Sequence, residues 1–178
     1  MYIERQISAE INPFLAKREA ISIIGPRQAG KTTFIENLAK ELEKKGKKIK
    51  FITFEKREDL NLFNNDIEGF KKIAEQYEVV IIDEFQYSQE GGQKLKYLYD
   101  TTKVKFIISG SSSLELTFQT GKYMVGRLHE FLLTPFSFRE FLICRKFDIK
   151  QHYSSLEKAQ LNKLLSESKH QLLKEINE

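Results

Sequence analysis

Apolar residues gather in five short runs along the chain, separated by longer stretches in which they recur at helical spacing. Ala20-Ile21-Ser22-Ile23-Ile24 is Ile-rich and ends at Gly25-Pro26, the pattern of a buried strand. From Thr32 to Lys45, residues Phe34, Ile35, Leu38 and Leu42 share one helical face, and Gly46 suits the C-terminal cap. Lys48 to Phe54 is a second strand, and Leu60 to Tyr77 reads as two short helices broken near Asn64-Asn65. Val79-Val80-Ile81-Ile82 is a third strand, running into Asp83-Glu84. A helix over Lys94 to Thr101 leads to a fourth strand, Val104 to Ile108, which ends in Ser109-Gly110-Ser111-Ser112-Ser113. Leu128 to Leu133 is the fifth. Ser137 and Glu140 have capping-box spacing for a helix through Phe141 and Leu142. Strands alternating with helices predict an α/β fold: a parallel five-stranded sheet with helices on both faces.

The tail continues the helical pattern. Ser154 and Glu157 have capping-box spacing, and Leu161, Leu164, Leu165, Leu172, Leu173 and Ile176 then recur on one stripe. Such a stripe needs cover. The core, a second copy of the chain and a further domain are the three candidates. The expected organisation is a core over residues 1–146 and a helical tail, or the start of a second domain, over 147–178.

Composition narrows the classes. With 178 residues, 40% hydrophobic and 30% charged, the chain is long enough for a real core. The formal net charge of +4 suits anion binding but is not a nucleic-acid signature. The lysine run Lys44, Lys45, Lys47, Lys48 and Lys50 reads first as a helix end and a solvated turn, and only second as a nucleic-acid contact. The phenylalanines lie in apolar runs and read as core. Cys144 is the single cysteine, without a Cys or His partner at metal spacing, and His129 reads as structural. No apolar stretch approaches the ~18 residues of a membrane span, and the charged start lacks a signal-peptide pattern. A cytoplasmic protein is the expectation.

Chemistry concentrates where the strands end. Gly25-Pro26-Arg27-Gln28-Ala29-Gly30-Lys31-Thr32 matches G-x-x-x-x-G-K-[ST], with a strand before it and a helix after it. The glycines let the backbone curl so that N–H groups face phosphate oxygens, and the helix N-terminus favours the same anion. Lys31 is placed to reach the β- and γ-phosphates, the Thr32 hydroxyl to ligate Mg²⁺, and Thr33 to meet the α-phosphate. An apolar strand delivering Asp83-Glu84 supplies the second half of such a site. Adjacent strand residues face opposite ways, so Asp83 is assigned to the metal and Glu84 to the attacking water. Ser109 is a candidate γ-phosphate or water contact, against a plain small-residue loop. Arg127 is a candidate for the charge that develops in transfer, against a surface arginine paired with Glu115 or Glu130. Gln86 could touch the water or a neighbouring chain.

Together these segments resemble a family of prokaryotic AAA-type ATPases within the P-loop superclass. The resemblance rests on Gly25 to Thr33, Asp83-Glu84-Phe85-Gln86, Ser109 to Ser113, Gly126-Arg127 and Leu133-Thr134-Pro135-Phe136-Ser137-Phe138-Arg139-Glu140-Phe141, and covers about residues 10 to 145. It implies Walker A and Walker B motifs, ATP rather than GTP, and an extra strand between the phosphate-loop strand and the acidic strand. Independently, Asn162-Lys163-Leu164-Leu165 lacks the aspartate of a guanine-binding Asn-Lys-x-Asp segment. Proteins of this family usually continue into a second domain after the Pro-Phe-Ser-Phe segment. The expected function is Mg²⁺-dependent ATP binding and hydrolysis that moves a partner domain. The alternative is a nucleotide-gated switch or binding module with negligible turnover.

Overall fold

The structure is a computed structural model, and it describes residues 2–111 and 122–144 together with 166, 168 and 169. It divides into two compact units, Met1–Ser137 and Phe138–Glu178. Of the second, the helix Phe138–Cys144 is described, and the tail expected over 154–178 lies outside the described residues except at three helical positions, Ser166, Ser168 and Lys169.

Unit one opens with a helix that the periodicity reading passes over, α1 (Ile7–Leu15). Its Ile7 and Ile11, one turn apart, are its buried residues, and Pro13 sits in its last turn. Then follow β1 (Ala20–Gly25), α2 (Lys31–Lys44), β2 (Ile49–Thr53), α3 (Arg57–Asn65), α4 (Ile67–Ala74) and β3 (Val79–Asp83). A 3₁₀ turn at Phe85–Tyr87 leads to α5 (Gly91–Thr101), β4 (Lys105–Ser111) and β5 (Leu128–Leu132), and α6 is Phe138–Cys144. The break between α3 and α4 falls at Asp66, whose carboxylate accepts from Gly69 N at 2.8 Å and so starts α4.

The five strands form one parallel sheet in the order β2-β3-β4-β1-β5, with β4 between the phosphate-loop strand and the acidic strand as the resemblance implies. Strand alternation splits the core into two layers. Ile21, Ile23, Val79, Ile81 and Ile107 face one side, where they pack with Ile7 and Ile11 of α1 and Phe34, Ile35, Leu38 and Leu42 of α2. Val80, Ile82, Phe106 and Ile108 face the other, against Phe63, Phe70, Leu95 and Leu98 of α3, α4 and α5. Each fully buried side chain of this size contributes roughly 1.5–3 kcal/mol of transfer free energy. The same alternation carries Asp83 and Ser109, two residues beyond Ile81 and Ile107, to the α2 side, where α2 begins.

Candidate nucleotide site

The phosphate loop leaves β1 at Gly25 and enters α2 at Lys31. A side chain on Gly25 has no room: a Cβ there would lie 2.1 Å from the Leu133 carbonyl oxygen, so the exit of β5 lies against the loop's first residue. Gln28 and Gly30 have φ of +65° and +84°. Interspersed left-handed residues turn successive N–H groups inward into an anion-binding concavity. No acidic residue stands in the first turn of α2, so its dipole is left to an anion.

Lys31 is buried, and its ammonium donates to the Gly25 and Pro26 carbonyls at 3.0 Å each, lying across the loop. Thr32 Oγ1 donates to Asp83 Oδ2 at 2.7 Å. The other carboxylate oxygen, Asp83 Oδ1, accepts from Glu84 N at 3.0 Å and from the Ser109 hydroxyl. Asp83 and Ser109 are both buried, and both belong to strands that end at the same edge. Glu84 follows the strand with φ +55°, and its carboxylate accepts from the Gln86 amide. Gln86 Oε1 in turn accepts from Ser111 N at 3.3 Å, which links Glu84 to the end of β4. Arg27, Gln28, Lys31, Thr32, Thr33, Glu55, Glu84 and Tyr87 border an open cleft of about 350 Å³.

The oxygen pair of Thr32 and Asp83 is a hard donor set of the kind Mg²⁺ takes, one carboxylate and one hydroxyl completed by phosphate and water. Among the described residues no group of three or more His, Cys, Asp or Glu could hold a metal on protein ligands alone.

The structure thus brings Lys31, Thr32, Asp83, Glu84 and Ser109 together. Arg127 is not with them. It precedes β5, and its carbonyl accepts from Ala20 N at the start of β1. In a parallel sheet that is the edge opposite the phosphate loop, a strand length of roughly 17–20 Å away for a six-residue strand. Its guanidinium pairs with Asp100 at 3.1 Å, and Glu115 lies outside the described residues. The expectation that Arg127 stands near this chain's own phosphates is therefore corrected. The residue ahead of a parallel strand lies at the amino edge, whereas the ligand edge is the carboxyl one.

Other expectations find their places. Ser109 is turned onto Asp83. His129 packs on the Phe14 ring, centroids 4.2 Å apart. In the lysine run, Lys47 pairs with Glu78 at 2.7 Å, and Lys48 and Lys50 lie over the Tyr77 ring, which engages three of the run locally. No described helix is long and apolar enough to cross a membrane. Arg5, buried against Ala29, escapes the sequence reading because a lone arginine ahead of the first helix carries no motif.

A family model described as an AAA domain matches residues 17–142. The chain belongs to that AAA-domain family of P-loop ATPases. Two Methanocaldococcus jannaschii proteins, both carried as uncharacterized, are similar in sequence. MJ1544 is 29% identical over 93% of this chain and 36% of its own length, and MJ1637 is 30% identical over 73% and 29%. The chain thus spans about a third of the length of the curated relatives it matches. Among solved structures, AMPPCP-bound DnaA from Aquifex aeolicus aligns with a TM-score of 0.56 at 15% identity, over 97% of this chain and 62% of that one. Pif1 helicase from Candida albicans aligns at 0.55 and 12% identity, over 77% and 41%. At these identities the likeness carries the fold.

Proposed function

We propose that the chain binds Mg-ATP at the Gly25–Thr33 loop and hydrolyses it, using Glu84 as general base. The observation that carries this reading is the meeting of Lys31, Thr32, Asp83 and Glu84 at the carboxyl ends of β1 and β3. AMPPCP, an ATP analogue, in the similar DnaA structures supports an adenine nucleotide as the ligand.

In this reading the loop N–H groups and Lys31 bind the β- and γ-phosphates. Thr32 and Asp83 hold Mg²⁺, which neutralises charge on the transferring phosphate when bound. Ser109 and the Glu84 N–H fix the Asp83 carboxylate, so the metal ligand is oriented before nucleotide arrives. Glu84 takes the proton of the attacking water. Gln86 holds the Glu84 carboxylate and ties it to β4. The longer relatives support a further domain as the element that hydrolysis moves.

A second reading, a nucleotide-gated switch with negligible turnover, draws on two observations. Glu84 is engaged by Gln86, and Arg127 stands away from its own chain's loop. Two variants separate the readings. Lys31→Ala is expected to lose most Mg-ATP affinity in titration calorimetry while keeping its circular dichroism, and unchanged affinity in the folded variant would overturn the site. Glu84→Gln is expected to bind normally and hydrolyse at least ~100-fold more slowly in a single turnover. A near-normal rate would move the base elsewhere, and a wild type that binds without turnover would favour the switch.

A further inference from the structure

The phosphate loop is braced from outside by a residue that belongs to no motif. Arg5 lies in the segment before α1 and is only 6% exposed. Its Nη1 donates to the carbonyl of Ala29 at 3.0 Å, and its Nη2 to the carbonyl of Thr134 at 2.6 Å. The guanidinium also stacks over the Phe136 ring, 4.6 Å from its centroid. One planar group therefore joins the N-terminal segment, the end of the phosphate loop and the exit of β5.

The first bond bears on the loop's chemistry. In a trans peptide the carbonyl and the following N–H point to opposite sides. Holding the Ala29 carbonyl outward on Arg5 aims the Gly30 N–H inward, toward the concavity that is to hold phosphate. Gly30, at φ +84°, needs an anchor of this kind, since glycine turns either way at little cost. A Cβ placed on Gly30 would lie 3.6 Å from Nη1, so the guanidinium stands directly beside this residue of the loop. The second bond and the Phe136 ring keep the guanidinium from following the loop. The exit of β5 is itself fixed to the loop's start: Leu133 N donates to Ile24 O at 2.7 Å, and the Leu133 carbonyl fills the space beside Gly25. The loop is thereby held at its first residue by Leu133 and at its fifth by Arg5.

We infer that Arg5 is a positioning residue for the phosphate loop, ordering the Ala29–Gly30 peptide for phosphate binding through its paired bonds to Ala29 and Thr134. The inference rests on the reading of the cleft as an Mg-ATP site, but it also has a readout that needs no nucleotide. Arginine is the residue for this task. Its flat fork serves two carbonyls with fixed geometry, which a lysine ammonium does not reproduce.

The test uses the full chain with Arg5→Met and Arg5→Lys, measured below their melting temperatures. Backbone ¹⁵N relaxation without nucleotide is expected to show lower order parameters at Gly30 and Lys31, with those of the β3 and β4 core unchanged. Titration with Mg-ATP and Mg-ADP is expected to show about tenfold weaker binding for Arg5→Met, with Arg5→Lys between it and the wild type. If Arg5→Met does not fold, Arg5→Lys decides alone, through order parameters and affinity together. A folded variant with wild-type order at Gly30 overturns the inference, as does wild-type affinity while Lys31→Ala abolishes binding. A wild type that binds no Mg-ATP overturns the nucleotide reading instead, and the order parameter at Gly30 still judges the brace.

Discussion

Two buried polar side chains show how much a single residue's surroundings decide. Among the described residues, Ser22 Oγ is the buried side-chain atom left without a hydrogen-bond partner, in the middle of β1. Burying an unpaired hydroxyl costs more than burying a methyl. We therefore expect Ser22→Ala to be neutral or more stable by about 1 kcal/mol in urea unfolding, and a clear loss of stability would mean that the hydroxyl has a partner. Lys105 is the opposite case. Its ammonium, at the amino edge of β4, donates to the carbonyls of Phe14, Lys17 and Glu19, which close the end of α1 and the approach to β1. Burial lowers its pKa from 10.5 to about 8, with Glu19 pulling the other way. The unfolded chain keeps this proton to near 10.5 while the folded chain releases it near 8. Between those values the unfolded state binds more protons, so this residue's contribution to stability rises with pH. The stability of wild type relative to Lys105→Met should therefore increase from pH 8 to pH 10, measured by urea melts at each pH. A flat difference would show that the group titrates alike in both states. Neither residue signals its role in the sequence, since nothing in a strand pattern says whether a Ser or Lys will be buried.

At the scale of elements, one aromatic cluster joins the fold to the site. Phe54, Phe63, Phe70 and Phe85 pack with centroids 4.9 to 5.7 Å apart on the α3–α4 side of the sheet. Phe85 directly follows Glu84 and is fully buried, so it anchors the left-handed turn that presents the carboxylate. Phe85→Ala is expected to cost about 3–5 kcal/mol of stability. It should lower hydrolysis more than Mg-ATP affinity, because the phosphate loop rests on the other core layer, with α1 and α2. Equal losses in the two measurements would show that the layers are coupled. Much at this scale was legible beforehand. The central strands β1, β3 and β4 follow from their Ile- and Val-rich runs, because a central parallel strand is buried on both faces. The edge strands β2 and β5 show only interrupted apolar positions. α2 and the broken pair α3–α4 follow from apolar spacing at helical period. α1 was not legible: Ile7 and Ile11 are its only buried positions, and Pro13 argues locally against a helix. The phosphate loop and Asp83-Glu84 were readable because their spacing is itself the chemistry. Arg5 and the Gln86–Ser111 link were not, because they join segments through backbone groups that any residue could offer. The reading of Arg127 went astray on direction alone, since it stands before its strand and not after it.

At the scale of the whole molecule, the position of Arg127 says what a complete site would require. The guanidinium is on the sheet edge opposite the phosphate loop, half exposed, and its partner Asp100 is exposed too. A surface pair of this kind is weak and screened by solvent, so a stronger anion could recruit the arginine. A nucleotide at its own chain's Gly25–Thr33 loop would lie beyond its reach, so we propose that any nucleotide Arg127 serves is that of a second copy. If it does, hydrolysis per chain rises with protein concentration, and the wild type falls back toward the Arg127→Ala rate on dilution. A mixing experiment makes the case sharper. Arg127→Ala keeps a complete cleft and lacks the arginine, whereas Glu84→Gln lacks the base and keeps the arginine. Each alone should hydrolyse slowly, and an equimolar mixture should regain a substantial part of wild-type turnover, because the cleft of one chain is completed by the arginine of the other. Asp100→Ala, which frees the guanidinium without removing it, is expected to keep turnover. A mixture no faster than the average of its components, together with a neutral Arg127→Ala, would return Arg127 to a surface role and leave each chain with a self-sufficient site.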